Sequence, residues 1–224
     1  MVDFALQRTN MVEGQVRPSD VTDRRILRAM LEVPRERFAA PEAQALAYMD
    51  ERLLVVPARG GTPARYMMAP RVLAKLIQAL ELEAGDLVLD VGAGTGYASA
   101  VLARIVRAVV ALESEAAVAE IAKATLSSLG VANVKFATGA LAEGVASEAP
   151  YDAILVNGAV PDVPAALLDQ LKDGGRLAAV VVANDSVGRA VQWRRLGGTF
   201  DARPLFDAAA PRLPGFERKA EFVF

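Results

Sequence analysis

An acid followed by three alternating glycines is the part of this sequence best suited to hold a small ligand. In the stretch VLDVGAGTGY, Asp90 comes at the end of an apolar run and Gly92, Gly94 and Gly96 follow it. Glycines have no Cβ and let the backbone approach a ligand closely. A second acid, Glu113, ends the next apolar run, AVVALE. Because ligands of open α/β sheets bind at the carboxyl ends of the strands, we expect both carboxylates to flank the glycine turn.

Two phosphate-binding interpretations of the glycine turn fail on the neighbouring residues. A phosphate loop needs Lys and then Ser or Thr after its last glycine, whereas Tyr97 and Ala98 follow Gly96. A dinucleotide turn needs a small third residue for close packing of helix on strand, and that position holds the bulky Tyr97. The carboxylate of Asp90 would also repel a pyrophosphate. The turn therefore indicates a ligand that carries positive charge and no phosphate.

S-adenosylmethionine meets these requirements, because it carries a sulfonium and an amino group and has no phosphate. Asp90 would attract its positive charges, and the carboxylate of Glu113 could accept hydrogen bonds from both ribose hydroxyls. Glu113 alone would suit a nicotinamide cofactor equally well, so Asp90 and Tyr97 decide between the two. The remaining alternative is a glycine turn that binds nothing. We interpret the turn as a site for this methyl donor.

The composition narrows the class of protein further. The 224 residues carry a net charge of −2 with a pI near 5.4, which argues against a protein that coats nucleic acid. The sequence contains no histidine and no cysteine, so imidazole bases and His- or thiolate-bound metals are excluded, and we expect no metal site. The first residues do not have the pattern of a signal peptide, and the longest apolar run, 177–183, is too short to cross a membrane. We expect a cytoplasmic protein with neither a membrane nor a nucleic-acid partner.

From residue 70 onward, apolar strands alternate with helical patterns. This alternation predicts an α/β fold with a doubly wound, mostly parallel sheet and right-handed crossovers. The last helix is expected to run to Leu171 and to end at Gly174, and Ser114 is expected to cap the helix that follows it. The predicted strands are 87–91, 108–113, 133–138, 152–157 and 176–183, and the predicted helices begin near Pro70, Tyr97, Ser114 and Asp162.

The two ends of the chain follow other patterns. Residues 1–69 contain two predicted helices, 22–31 and 41–49, and no clear strand, so we expect a helical cap over the carboxyl ends of the sheet. The segments 190–198 and 218–224 predict antiparallel edge strands joined by a long loop. We expect one domain, composed of a cap (1–69), a cofactor-binding core (70–185) and C-terminal edge strands (186–224). Arginines of the cap alternate with acids, which predicts a solvated helix face; they are Arg17, Arg24, Arg25, Arg28, Arg35 and Arg37.

Four stretches of the chain resemble the protein-L-isoaspartate O-methyltransferase family. They are TNMVEGQVRPSDVTDRRILRAMLEVPRERF, VLDVGAGTGYASAVLA, LGVANVKFATG and YDAILVNGAVPDVPAALLDQLKDGGRLAAVV. The resemblance extends to about residue 183, and its N-terminal stretch is more specific than the glycine turn. It implies transfer of a methyl group from S-adenosylmethionine to the α-carboxylate of isoaspartyl residues in damaged proteins or peptides. The oligomeric state is left open.

The resemblance also implies which positions contact the cofactor and the substrate. Three of them depart from the family pattern. Met68 stands where the family has a substrate-side serine, Ala140 where it has an aspartate that holds the adenine amino group, and Asn157 where it has a threonine. The substrate-side candidates are Tyr66, Met67 and Met68. The cofactor-side candidates are Asp90, Gly92, Ala93, Gly94, Thr95, Gly96, Glu113, Ser114, Gly139, Ala140 and Asn157.

Three interpretations of function remain open. The first is an isoaspartyl methyltransferase with a rearranged acceptor pocket; a carboxylate acceptor is ionised at neutral pH, so this chemistry needs no histidine as a general base. The second is a family member that methylates another acceptor, such as an amino group polarised by Asn157. The third is a non-catalytic module that binds S-adenosylmethionine or another protein. We expect weak isoaspartyl methylation that the substitution Met68→Ser increases.

Overall fold

The computed structural model describes residues 3–58, 60, 64–183 and 187–217. None of the helices in these ranges is long and apolar enough to span a membrane. The α-helices are α1 (Phe4–Met11), α2 (Arg24–Glu32), α3 (Pro70–Ala79), α4 (Tyr97–Ala103), α5 (Ala116–Ser128) and α6 (Ala165–Leu168). The strands are β1 (Leu53–Val56), β2 (Arg65–Met67), β3 (Leu87–Val91), β4 (Ala108–Glu113), β5 (Val134–Thr138), β6 (Tyr151–Val160), β7 (Leu171–Val181), β8 (Arg189–Leu196) and β9 (Thr199–Asp207).

In the described part of the chain, seven strands form one sheet in the order β5-β4-β3-β6-β7-β8-β9. Neighbouring strands from β5 to β7 pair in parallel, and β8 and β9 add to one edge in antiparallel fashion. The predicted mostly parallel sheet with antiparallel C-terminal edge strands is therefore confirmed. The strand order changes direction at β3, and the crevice at the carboxyl ends of β3 and its neighbours is where such folds bind ligands.

Apolar side chains cover both faces of this sheet. On one face, Val88 and Leu155 belong to a core shared with the N-terminal segment, α3 and α4. On the other face, Leu89 and Ile154 belong to a core shared with α6 and Leu213. Parallel strands that are buried on both faces require such continuous apolar runs. This requirement explains why the central strands could be predicted from the sequence.

The N-terminal segment forms a cap that is less helical than expected. After α1 come one π-helical turn (Val12–Val16) and α2, and the predicted helix 41–49 is only a 3₁₀ turn (Pro41–Leu46). The cap also contains an antiparallel pair, β1 with β2, in which Leu53 lies opposite Met67. No strand could be predicted here, because strands of four and three residues are too short to show an alternating pattern.

The region after β6 also departs from the prediction. The helix expected to run from Asp162 to Leu171 is confined to α6, and β7 already begins at Leu171 because that residue pairs with Tyr151 of β6. The loop expected after β8 is the strand β9. Pro204 is tolerated in β9 because this strand lies at the edge of the sheet. The strand expected at 218–224 lies outside the described residues.

Candidate active site

The glycine turn joins β3 to α4 at the carboxyl edge of the sheet. Gly94 and Gly96 have φ angles of 56° and 95°, a conformation that residues with a Cβ rarely adopt. A Cβ on Gly96 would lie 3.3 Å from the Cβ of Ala122, so this glycine allows α5 to pack against the turn. A Cβ on Gly94 would meet nothing within 4 Å. The backbone at Gly94 therefore borders free space, which a ligand can use.

Asp90 is fully buried on β3, two residues before the turn. Its Oδ2 accepts a 2.6 Å hydrogen bond from the hydroxyl of Ser99 on α4, whereas Oδ1 has no hydrogen-bond partner among the described residues. Burial raises the pKa of Asp90 to about 6; Ser99 and Asn157 partly oppose this rise, and the charge of Glu113 adds to it. A buried carboxylate oxygen without a donor is costly, so Oδ1 is suited to a cationic or N–H group of a ligand.

Glu113 ends β4, beside the turn, and is also fully buried. Its Oε2 accepts hydrogen bonds from Nη2 of Arg65 (2.6 Å) and from the N–H of Gly94 (2.8 Å). Its Oε1 accepts from the N–H groups of Ser114 (2.9 Å) and Glu115 (3.3 Å), and from the Ser114 hydroxyl (3.1 Å). The prediction that Ser114 caps α5 is wrong, because Glu115 occupies the N-cap position and makes no side-chain capping bond. Ser114 instead holds Glu113.

The other predicted cofactor positions form two groups. Ala93 and Thr95 are buried, and the Thr95 hydroxyl donates a 2.7 Å hydrogen bond to the carbonyl of Phe38 in the cap. Gly139 and Ala140 are exposed immediately after β5. The N–H of Gly139 binds the backbone carbonyl at the end of β4, 3.2 Å away. Thr95 therefore fastens the turn to the cap, whereas Ala140 is free to meet a ligand.

The predicted substrate-side residues lie directly over the glycine turn. Met68 is only 1% exposed, and the ring of Tyr66 lies 5.1 Å from the guanidinium carbon of Arg52. The cavity between the two sides is about 10 Å³, at the lower limit of the space that one water molecule needs. The structure therefore brings the two sides together, and a ligand can enter only if they separate. The predicted residues that line this cavity are Tyr66, Met67, Met68, Gly92, Ala93, Gly94, Thr95 and Asn157.

The donor set of the site determines what it can hold. Asp90 offers one carboxylate oxygen without a donor, and both oxygens of Glu113, at the end of the next strand, act as hydrogen-bond acceptors, two of whose present donors are side chains. Residues 3–58, 60, 64–183 and 187–217 contain no group of three or more His, Cys, Asp or Glu side chains that could hold a metal ion. A ligand with positive charge near Asp90 and paired hydroxyls near Glu113 therefore fits the site, and S-adenosylmethionine has both.

Comparison with known families gives the site its context. Residues 7–202 match the family described as Protein-L-isoaspartate(D-aspartate) O-methyltransferase. The chain belongs to this family. Protein-L-isoaspartate O-methyltransferases use S-adenosylmethionine to methylate carboxyl groups. The resemblance of the four sequence stretches is thereby confirmed.

Individual members of the family are similar over most of the chain. A protein-L-isoaspartate O-methyltransferase of Koribacter versatilis is 38% identical over 181 residues, which cover 81% of this chain and 79% of the relative. One of Roseiflexus sp. is 38% identical over 221 residues, 98% of each chain. Protein-L-isoaspartate O-methyltransferase 1 of Rhodopseudomonas palustris is 41% identical over 192 residues, 86% of this chain and 76% of the relative.

Solved structures show the same fold. A protein-L-isoaspartate O-methyltransferase structure matches with a TM-score of 0.82 and 27% identity, and covers 93% of this chain and 67% of that one. A Plasmodium falciparum structure that contains S-adenosyl-L-homocysteine matches with a TM-score of 0.75 over 96% of this chain and 100% of that one. At 21% identity, the second match supports the fold alone.

One arginine within the region matched to the protein-L-isoaspartate O-methyltransferases has a role that its sequence pattern did not predict. Arg35 was predicted on a solvated face, but it is fully buried, and its neighbour Glu36 is nearly so. Its Nε donates to the carbonyl of Ala47 (2.8 Å) and its Nη2 to that of Met68 (2.7 Å). Its guanidinium carbon lies 4.7 Å from the centroid of the Tyr97 ring, and burial lowers the pKa of Arg35.

The other five arginines of that predicted face are exposed, as expected. What distinguishes Arg35 in the sequence is its setting, V-P-R-E-R-F, between a helix that ends at Glu32 and a phenylalanine. Apolar residues on both sides of an arginine were the available signal that this turn is buried. The charge pattern alone could not predict the burial of Arg35, because the exposed arginines of the cap alternate with acids in the same way.

Proposed function

We propose that this chain transfers the methyl group of S-adenosylmethionine to the α-carboxylate of isoaspartyl residues in damaged proteins or peptides. The observation that carries the proposal is the pair of buried acids, Asp90 and Glu113, at the ends of adjacent strands beside the glycine turn. Family membership supports the acceptor, because the relatives that are 38–41% identical are named for isoaspartyl substrates.

For the cofactor, we propose that Asp90 faces the amino group and that Glu113 faces the ribose hydroxyls. A buried oxygen without a donor suits a cation, and a carboxylate suits two neighbouring hydroxyls. S-adenosylmethionine, when bound, supplies an electrophilic methyl group on its sulfonium. The full proposed set is Asp90, Gly92, Ala93, Gly94, Thr95, Gly96, Glu113, Ser114, Gly139, Ala140 and Asn157.

On the acceptor side, the residues of this chain have to position and exclude rather than move a proton. An acceptor carboxylate has a pKa near 4 and is ionised at neutral pH, so no base is needed. Tyr66, Met67 and Met68 close over the turn and would keep water away from the reacting atoms. Positioning two reactants in this way can lower a barrier by about 7–11 kcal/mol.

The test is methyl transfer from labelled S-adenosylmethionine to an isoaspartyl peptide, beside its normal aspartyl twin. We expect label in the isoaspartyl peptide alone, in a base-labile ester. The aspartyl peptide controls for methylation of carboxylates that is not specific to the isoaspartyl linkage. Label in neither peptide, from a protein that binds the cofactor, would defeat the proposed acceptor.

A second candidate function is methylation of a different acceptor. It is favoured by one observation: the side of the cavity opposite the glycine turn is apolar, with Met67 and Met68, and its polar group near Asp90 is the Asn157 amide. Because Asn157 lowers the pKa of Asp90, its NH2 group faces that carboxylate. Its amide oxygen is then left to accept a hydrogen bond from an amino group, whereas it offers no donor to a carboxylate. Transfer of label to an amine but not to the isoaspartyl peptide would favour this candidate, and no transfer at all would favour a non-catalytic module.

We further propose that the chain works as one domain in the cytoplasm, with protein or peptide substrates and without a nucleic-acid or membrane partner. The net charge of −2 supports this proposal for nucleic acid. Within that domain, the proposed parts are the cap (1–69), the core (70–185) and the edge strands (186–224). A single cooperative unfolding transition, and recovery of the protein in the cytosolic fraction of its cell, are the expected results.

A further inference from the structure

Glu113 is engaged by Arg65 in a buried ion pair. Nη2 of Arg65 lies 2.6 Å from Oε2 of Glu113, and the two side chains are only 5% and 0% exposed. Among the described residues, no other carboxylate lies within 4.0 Å of the Arg65 guanidinium. Arg65 begins β2, directly before the substrate-side residues Tyr66 and Met67. One cation therefore connects the cofactor side of the site to the acceptor side.

Glu113 cannot bind a ribose and keep all its present donors. It accepts hydrogen bonds from five donors, whereas a carboxylate offers about four lone-pair sites. Three donors are backbone N–H groups of Gly94, Ser114 and Glu115, which the turn and the start of α5 hold in place. The other two are side chains, the Arg65 guanidinium and the Ser114 hydroxyl, which can leave. Two ribose hydroxyls would replace these, and Arg65 would be released.

The small cavity between the substrate-side residues and the glycine turn also indicates that the contact between Arg65 and Glu113 must break when ligands bind. It is about 10 Å³, whereas sites for small ligands measure about 300–1,000 Å³. Tyr66, Met67 and Met68, which follow Arg65 in the chain, form one of its walls. A ligand group can therefore enter between β2 and the glycine turn only if β2 moves away from the turn. The pair between Arg65 and Glu113 is the charged contact that this movement breaks.

We propose that Arg65, once the cofactor has displaced it from Glu113, binds the carboxylate of the acceptor. This proposal rests on the proposed function. A released guanidinium in a buried site needs a new anion, because an unpaired buried charge is strongly unfavourable. A guanidinium holds a carboxylate through two parallel N–H bonds, so Arg65 supplies the donor that Met68 lacks. The cofactor therefore binds first, and the site selects an acceptor that carries a carboxylate.

The first test measures cofactor affinity without any acceptor. Calorimetric titration with S-adenosylmethionine compares the wild type with Arg65→Gln and with Arg71→Gln. Arg71 is a matched control, because it also pairs with an acid, Asp50, but is half exposed. We expect Arg65→Gln to bind the cofactor about tenfold more tightly, since the competing contact is gone, and Arg71→Gln to be unchanged. Unchanged or weaker binding by Arg65→Gln overturns the proposal, because a merely structural arginine would give that result.

The second test measures the acceptor. In steady-state methyl transfer, we expect the KM of an isoaspartyl peptide to rise by about tenfold to a hundredfold in Arg65→Gln, the loss expected for one charge-assisted contact. Arg65→Lys keeps the charge and should show both changes in smaller size; it also serves if Arg65→Gln does not fold. An unchanged KM beside a tighter cofactor overturns the acceptor role of Arg65.

A third measurement separates this inference from the proposed function. If the wild type binds the cofactor but does not methylate the isoaspartyl peptide, the proposed function fails. Arg65 is then tested by binding alone, on protein loaded with S-adenosylhomocysteine, with the isoaspartyl peptide and its carboxamide twin. Tighter binding of the carboxylate peptide that is lost in Arg65→Gln supports the role of Arg65. Equal binding of the two peptides overturns it.

Discussion

The guanidinium of Arg35 donates a 2.7 Å hydrogen bond to the backbone carbonyl of Met68. The same guanidinium lies over the ring of Tyr97, the residue directly after the glycine turn. One buried cation thus joins the cap, the cofactor turn and the substrate-side segment. Arg35 touches neither of the two acids of the site, so its role is to position Met68 relative to the turn.

The substitution Arg35→Met tests this role. Methionine fills a similar volume but cannot donate hydrogen bonds to the two carbonyls. Each of these charge-assisted hydrogen bonds contributes about 1.5–3 kcal/mol to stability. The substitution also removes a buried cation without a carboxylate partner, which offsets much of this loss. We expect the free energy of unfolding to stay within about 2 kcal/mol of the wild type, and kcat/KM for methyl transfer to fall about tenfold or more.

The control for Arg35 is Arg37→Met, two residues away on the exposed side of the same turn. It should change neither stability nor turnover. Wild-type turnover by a folded Arg35→Met protein would show that the segment of Met68 needs no such anchor.

Asp90 should make the free protein less stable as the pH rises. Its pKa in the folded protein is about 6, against 3.8 for an ordinary Asp, because the charged form is buried. The folded state therefore holds a proton that the unfolded state loses, and stability falls between about pH 4 and pH 6. The shift of about two units corresponds to about 3 kcal/mol. In denaturant unfolding, we expect the free energy of unfolding of Asp90→Asn to exceed that of the wild type by up to this amount at pH 7. Near pH 4 the two values should differ little.

The ionisation of Asp90 should also control cofactor binding, but here a rise in pH should strengthen binding, whereas it lowers stability. Only the ionised Asp90 attracts an ammonium group, so affinity for S-adenosylmethionine should be flat above about pH 6 and weaken below it. Asp90→Asn should bind weakly at every pH between 5 and 7. An affinity in the wild type that does not change over this range would contradict the assignment of Asp90 to the cation.

The central fold could be predicted because burial on both faces forces long apolar runs on β3, β4, β6 and β7. The hairpin of β1 and β2 could not, because a strand of three residues shows no period. The two acids of the site, Asp90 and Glu113, could be predicted because each stands at the end of an apolar run, where a charged residue is easy to recognise. The cap predicted at Ser114 is wrong because its hydroxyl can bind either a helix end or the carboxylate beside it, and only the folded geometry decides between them.

The contacts that join the cap to the core depend on long-range packing and were not visible in the sequence. Arg65 and Glu113 are separated by 48 positions, and Arg35 and Met68 by 33. Their side chains are charged or flexible, so no local pattern identifies their partners. The sequence therefore predicts both walls of the site but not the two arginines that connect them.

Ala140→Asp should strengthen cofactor binding. Ala140 is exposed and lies next to Gly139, whose N–H binds the end of β4, so an aspartate costs no packing and can accept from the adenine amino group. We expect the Kd for S-adenosylmethionine to fall about threefold to tenfold, the gain from one hydrogen bond of about 1 kcal/mol. Ala142→Asp, two residues further on, is the control. Weaker binding by Ala140→Asp would show that the segment after β5 does not face adenine.

Met68→Ser should lower the stability of the protein and increase methylation of the acceptor. Met68 is 1% exposed, so the smaller serine leaves a cavity and costs about 2–5 kcal/mol of unfolding free energy. Its hydroxyl adds a donor on the substrate side, and we expect methylation of an isoaspartyl peptide to rise about tenfold. Met30→Ser creates a similar cavity in the core of the cap, outside the lining of the site, and should show the loss of stability alone. A fall in turnover in Met68→Ser that the control does not share would show that position 68 serves the site as methionine.

The most direct measurement of the central claim, that Asp90 and Glu113 hold S-adenosylmethionine at the glycine turn, is a set of calorimetric titrations. The wild type is titrated with S-adenosylmethionine and with NAD, and Glu113→Ala and the surface control Glu120→Ala with S-adenosylmethionine. We predict binding of S-adenosylmethionine but not of NAD by the wild type, and unchanged affinity in Glu120→Ala. Glu113→Ala should bind about tenfold to a hundredfold more weakly, the loss of about 1.5–3 kcal/mol. No heat with S-adenosylmethionine, or equal heat with NAD, would contradict the account.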